Sequence, residues 1–224
     1  IVKENVKGAD GEEQIKYCKV LSFNYTNTYE RLYLDKQQIQ NSIDYIHGKA
    51  KLFNTVENNN MVLGIDEYLT DERKDRETEF IAFKKFYQRI YKETGCKYKD
   101  WVETIREEYD DFLQEKERII NRANEYVGND VQRMMHRLQA SAVRDQKCKM
   151  HNVYIFGHSL DITDKDILRE LILNENVYTT IFYLNRDVMG QQIANLVKII
   201  GQDELIRRTG GKSKTIEFKQ QKEC

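Results

Sequence analysis

The stretch NVYIFGHSLDITDKDILRELILNENVYTTIFYL, residues 152–184, decides the reading of the fold. Asn152–Phe156 is apolar, aromatic and β-branched, which predicts a strand that ends in Gly157-His158-Ser159-Leu160. Thr163, with Asp166 three residues on, resembles a capping box opening a helix that carries Ile167, Leu168, Leu171 and Ile172. Val177–Leu184 has the composition of a buried strand. Strand, helix and strand in this order form a right-handed βαβ unit with parallel strands.

Working outward, the pattern repeats. Toward the C-terminus, Val188, Ile193, Leu196, Val197 and Ile200 mark a helix, and Lys214–Phe218 a final strand. Toward the N-terminus, Met61–Ile65 predicts a strand ending at Asp66, Ile43–Ile46 a short strand running into His47-Gly48, and Tyr17–Asn24 another. Thr26 or Asn27 caps a short helix reaching about Tyr33. Residues 1–14 read as a polar, glycine-containing loop. Phe80, Phe83, Tyr87 and Ile90 fall on one face of a helix that Gly95 stops. From Trp101 on, Val102, Ile105, Tyr109, Phe112, Ile119, Ala123 and Tyr126 keep a heptad-like spacing interrupted by Lys116. Gly128-Asn129-Asp130 breaks the pattern, and Val131, Met134, Leu138 and Ala142 return it, predicting an antiparallel helical hairpin over 100–146. The expected fold is therefore α/β: a mainly parallel sheet with helices on both faces, forming one domain over 15–224 with the hairpin inserted. The hairpin carries more apolar residues than an isolated exposed one should, so we expect it to project from the body and meet a second copy of the chain.

Composition narrows the function classes. Of 224 residues, 33% are charged with alternating sign and 40% are hydrophobic, which suits solvated helices around a real core. The formal net charge of -1 supplies no global basic field and argues against nucleic acid as the partner. Cys18, Cys96, Cys148 and Cys224 are scattered without C-x-x-C pairing, so neither a metal site nor a disulfide framework is expected. No apolar run approaches the ~18 residues of a membrane span, and nothing resembles a signal peptide. We expect a cytoplasmic protein. The chain begins at Ile1 and has no proline, and we expect further residues upstream.

In an open parallel sheet, ligands bind beyond the carboxyl ends of the strands. Three predicted strands finish there with polar endings: Asn24-Tyr25, His47-Gly48, and Gly157-His158-Ser159 leading to Asp161 and Asp164. Each has a structural reading. Asn24 could cap the next helix or close a turn. His47 could bond backbone at a strand end. His158 reads as structural, because Gly157 and Ser159 suggest close backbone approach. Asp161 and Asp164 could simply complement a helix N-terminus. His136 and His151 receive no role.

Taken together, Ser22-Phe-Asn-Tyr-Thr-Asn27, Tyr45-Ile-His-Gly48, Leu63-Gly-Ile-Asp66, FKKFYQRIYKETGCKYKDW at 83–101 and Ile155-Phe-Gly-His-Ser-Leu-Asp161 resemble, in order, the motifs of the bacteriophage abortive-infection family AbiH. The resemblance covers about 17–220 and implies a phage-defence role, with a phage component as trigger. The series Asn24-Tyr25, His47-Gly48, Gly157-x-Ser159 and Asp161 or Asp164 is more remotely similar to sirtuin-like NAD-consuming defence domains, which have a Rossmann-like fold. That similarity implies NAD as substrate, cleaved at its glycosidic bond. Asn24 would position water or ribose and His47 would act as base. Tyr25, Gly48, Gly157, His158, Ser159, Asp161 and Asp164 would line the nucleotide site, with no metal. The chain lacks the glycine-rich phosphate loop of that fold, which we expect upstream of Ile1, and it has no sirtuin zinc module. Two other classes remain. One is a sensing module that binds a nucleotide or phage component without chemistry. The other is a nuclease-like toxin, for which the acidic residues show no two-metal arrangement.

Overall fold

Val177–Tyr183 alternates a tightly buried row, Val177, Thr179, Ile181 and Tyr183, with a less buried one, and this strand is paired on both sides in the sheet. A computed structural model describes residues 2–7, 13–33, 43–55, 57–64 and 78–221. Six strands, β1 (Val2–Lys7), β2 (Glu13–Ser22), β3 (Ile43–Tyr45), β4 (His151–Ile155), β5 (Val177–Tyr183) and β6 (Ile216–Gln220), form one sheet in the order β3-β2-β1-β4-β5-β6. The pairs β2–β3, β4–β5 and β5–β6 are parallel, while β1 lies antiparallel between β2 and β4. The helices are α1 (Thr28–Tyr33), α2 (Lys85–Tyr91), α3 (Lys97–Glu125), α4 (Asp130–Arg144), α5 (Lys165–Ile172), α6 (Arg186–Ile200) and α7 (Gln202–Thr209). This is the expected α/β fold, with a mainly parallel sheet flanked by helices.

The core follows the strand pleat and the helix faces. Ile181 and Ile216 of the sheet meet Leu168 and Ile172 of α5, Leu196 and Ile199 of α6, and Leu205 of α7. A second cluster joins Ile46, just past β3, to Tyr98, Trp101 and Val102 at the start of α3 and to Ile167 and Leu171 of α5. Ile105, Val153 and Val177 form a third. The first two turns of α3 thus belong to the core, whereas beyond Ile105 only Ala123 of that helix is buried.

Several expectations need correction. Residues 1–14 are not a loop throughout, since Val2–Lys7 forms β1 and Glu13 already belongs to β2. Met61–Gly64 is not a strand, because its peptide groups are satisfied one at a time. Val62 N–H donates to the His47 carbonyl, Leu63 N–H to the Gln88 side chain and Met61 N–H to Asn59 Oδ1. Ile65 and Asp66, the expected end of that strand, lie outside the described residues. The single helix over 80–90 is instead a 3-10 turn, Thr78–Phe83, followed by α2, and Phe83 and Ile90 face solvent. The turn before α5 is capped by Asp161, whose carboxylate accepts the Thr163 N–H at 3.0 Å, and not by Thr163 itself. Helix α7 was not foreseen in the sequence. Gly201, at φ 86, marks an end to α6, and α7 buries only Leu205 and Arg208, too few apolar residues to show a helical period.

The hairpin is present as α3 and α4, joined across residues 126–129. The Asn129 side chain caps α4 by accepting the Gln132 N–H at 2.9 Å. Glu108 ties the base of the hairpin to the sheet through His151 Nε2 at 2.9 Å.

Candidate functional site

β2 and β4 run in the same direction, and β1 separates them. Its registered pairs reach Lys19 on one strand and Val153 on the other. Beyond that level a cleft of about 190 Å³ lies between the two strand ends, lined by Ser22, Phe23 and Asn24 on one side and Phe156, Gly157 and His158 on the other. Leu168 and Leu171 of α5 also line it. The expected carboxyl-end position of a ligand site is therefore occupied by a real cavity.

Asn24 is exposed on this cleft. Its backbone N–H meets Ser22 Oγ at 3.3 Å, closing a local turn. Gly157, at φ 60, and Leu160, at φ 58 and wholly buried, bend the loop that carries His158. For a leucine that conformation costs about 1–2 kcal/mol, and α6 holds the loop in place. Gln192 Nε2 donates to the His158 carbonyl at 3.0 Å, and Asn195 Nδ2 to the Ser159 carbonyl at 2.9 Å. His158 Nδ1 accepts the Leu160 N–H at 2.9 Å, so its proton sits on Nε2, 3.6 Å from Asp164 Oδ2.

His47 does not line the cleft. It is 5% exposed, and its Nε2 lies 3.0 Å from Asp164 Oδ1. Among the described residues neither ring nitrogen has a well-aligned hydrogen-bond partner, so the contact with Asp164 is one of proximity and charge. The ring of Phe23 packs edge-on against both imidazoles, at 5.6 Å from His47 and 4.3 Å from His158, and so forms the layer between His47 and the cleft. The loop holding His47 is tightly fixed. Gly48 takes φ 78, and a Cβ there would meet the Asn60 carbonyl oxygen at 2.0 Å. Tyr25 Oη donates to the Val62 carbonyl at 2.6 Å, and its ring lies 6.5 Å from His47. Asp44 of β3 accepts the Tyr98 N–H of α3 at 3.1 Å, and Gly95 leaves room for that carboxylate.

Asp164 is the hub. It touches both histidines, and Lys85 Nζ donates to its Oδ1 at 2.9 Å and to Thr163 Oγ1 at 2.9 Å. Burial pushes the carboxyl pKa up, but contacts with His158, His47 and Lys85 outweigh it and hold the group well below the usual carboxylate range. Asp161 stays exposed as a cap, and the Ser159 side chain faces solvent. Lys85, Thr163 and Phe23 were not foreseen as site residues. In the sequence Lys85 is one lysine of a pair, 79 residues from its partner.

The depressed pKa of Asp164 has a measurable consequence. Its stabilisation is complete above the unfolded-state value of about 3.9 and is lost as pH falls toward the folded value. Asp164→Asn should therefore be less stable than wild type at neutral pH, with the gap narrowing below about pH 4 in thermal melts. A gap that stays constant on acidification would contradict this.

Comparison with known proteins adds one decisive match. The family model described as bacteriophage abortive infection AbiH matches residues 2–184. The chain belongs to the AbiH family. The match takes in every site residue described above, from Ser22 to Asp164. Neither a curated protein nor a solved structure matches the chain. AbiH membership makes this a protein of phage abortive infection. Among the described residues no helix is long and apolar enough to cross a membrane.

Proposed function

We propose that this AbiH chain carries the reaction centre of a defence enzyme that hydrolyses NAD in the cytoplasm of an infected cell, triggered by a phage component. The observation that carries the reading is the buried His47–Asp164 contact beside a cleft at the strand ends. The ionised carboxylate favours a proton on the near nitrogen, Nε2, and leaves the lone pair on Nδ1, which no described residue occupies. That is the arrangement a general base needs. In the reaction, the bond between ribose C1′ and the nicotinamide nitrogen breaks, and its electron pair leaves with nicotinamide. Water adds to C1′ and gives its proton to His47. Asp164 balances the charge that appears on the imidazole, and His47 then releases the proton to solvent. The transition state is oxocarbenium-like, so little nucleophilic force is needed and positioning dominates. The Asn24 side chain, exposed on the cleft, orients the water or a ribose hydroxyl. His158, with both nitrogens committed, acts as scaffold. The cleft suits the nicotinamide riboside end, while a whole dinucleotide exceeds its volume.

The burial of His47 behind Phe23 favours a second reading, in which the cleft senses a nucleotide or phage component and passes the signal on without chemistry. Under the catalytic reading, Phe23 must move before His47 meets substrate, which makes activation by a trigger the natural control. The test is NAD consumption by the intact protein, with nicotinamide and ADP-ribose separated by chromatography. Asn24→Ala should lower turnover at least tenfold with little loss of stability, because the residue is exposed and its turn bond is made by the backbone N–H, which alanine keeps. Unchanged turnover in that variant would remove Asn24 from the mechanism.

A further inference from the structure

Helix α4 packs on α3 with Arg133, His136, Ala140 and Val143, and its opposite side is apolar and bare. Val131, Met134, Met135 and Leu138 follow the helical period, and each leaves 58–71% of its surface exposed. Val127, in the connection before α4, is exposed as well. Such a stripe at helical spacing, with no covering element among the described residues, marks an interaction surface.

We propose that this stripe pairs with the same stripe of a second copy of the chain, the two α4 helices lying antiparallel about a twofold axis near Arg137. Charge placement selects this arrangement. Asp130 and Arg144 stand on the same flank of α4, near its two ends. Antiparallel pairing sets each Asp130 against Arg144 of the partner subunit, once at either end, while a parallel pair would set this charged flank against the partner's uncharged one and gain no ion pair. The other flank is uncharged, with Gln132 and Gln139 beside Met135. At the centre Arg137 meets its own symmetry mate, a repulsion that weakens the pair without changing its direction. An anionic membrane is the other surface that a basic amphipathic helix could seek. Here the stripe carries no aromatic anchor, and neighbouring α3 is richer in acids than bases, so a negative headgroup layer would repel the hairpin. A single pair of helices covers on the order of 1,000 Å² in total, the low end for a specific interface, so a weak, concentration-dependent association is the expectation.

Sedimentation of the full chain between roughly 1 and 100 µM tests this. Wild type should shift from monomer to dimer across the series. Leu138→Glu, an exposed substitution that leaves the fold intact by circular dichroism, should remain monomeric throughout. Asp130→Arg should weaken association, and adding Arg144→Asp should restore it. Arg137→Gln should tighten it severalfold by removing the central repulsion. A wild type that stays monomeric, with or without binding to vesicles of anionic lipid, overturns the proposal. So does a Leu138→Glu variant that dimerises like wild type.

Discussion

Replacing His47 with alanine should lower NAD turnover by the intact protein roughly 10²–10⁴-fold, the usual worth of a positioned general base. The size follows from what the imidazole would do. It takes a proton from the attacking water while the glycosidic bond opens, and the histidine paired with a different carboxylate, His151 with Glu108, stands at the start of β4 and away from the carboxyl ends of the strands. His158 cannot substitute without giving up the Leu160 N–H that fixes its own loop. The effect should fall on kcat more than on KM, because the ring acts in the transition state and binds the ground state little. A thermal melt of the variant separates chemistry from folding. If the folded variant keeps wild-type turnover, His47 is a structural histidine.

Asp164→Ala should be strongly destabilising, costing about 3–5 kcal/mol in urea unfolding. The carboxylate is buried, and Lys85 and both histidines converge on it. Removing it leaves the Lys85 ammonium, itself 14% exposed, without its counter-charge in a nearly dry site. The penalty lies in the orphaned charge rather than in the lost pair, which predicts a rescue. In an Asp164→Leu background, Lys85→Met should recover most of the loss, since a well-packed apolar replacement of a buried ion pair is often neutral. Turnover should not recover with it, because His47 would still lack the carboxylate. Losses below about 1 kcal/mol for Asp164→Ala would show that Lys85 finds water or another partner.

How much of this was legible in the sequence depends on which force builds each element. The β4–α5–β5 unit was legible because apolar periodicity and β-branched residues build it, as in Ile167, Leu168, Leu171 and Ile172. Helix α7 was not, because Arg208 is buried by charge and carbonyls rather than by apolar contact. Its guanidinium reaches Glu204, Glu175 and the carbonyls of Ile172, Leu173 and Asn174 at the end of α5. Such a residue looks like surface in a hydropathy pattern. The same holds for the site. The strand-end rule drew attention to Asn24, His47 and His158, and motif order supplied Asp164 as one of two acidic candidates. Spacing alone could not show that Asp164 is the hub while Asp161 caps a turn. Phe23 and Lys85 needed the fold, since a phenylalanine beside a strand end and a lysine in a charged helix carry no chemical signature until their neighbours are known.

The central claim is that the cleft beside His47 and Asp164 consumes NAD during infection. The most direct test is the NAD content of phage-challenged cells carrying the intact wild-type protein or its His47→Ala variant at matched expression. The account predicts that NAD collapses after infection in wild-type cells, with nicotinamide and ADP-ribose accumulating, and that both NAD and phage growth are preserved in the variant. Protection by the wild-type protein with NAD unchanged, surviving in His47→Ala, would contradict the account and leave a sensing module in its place.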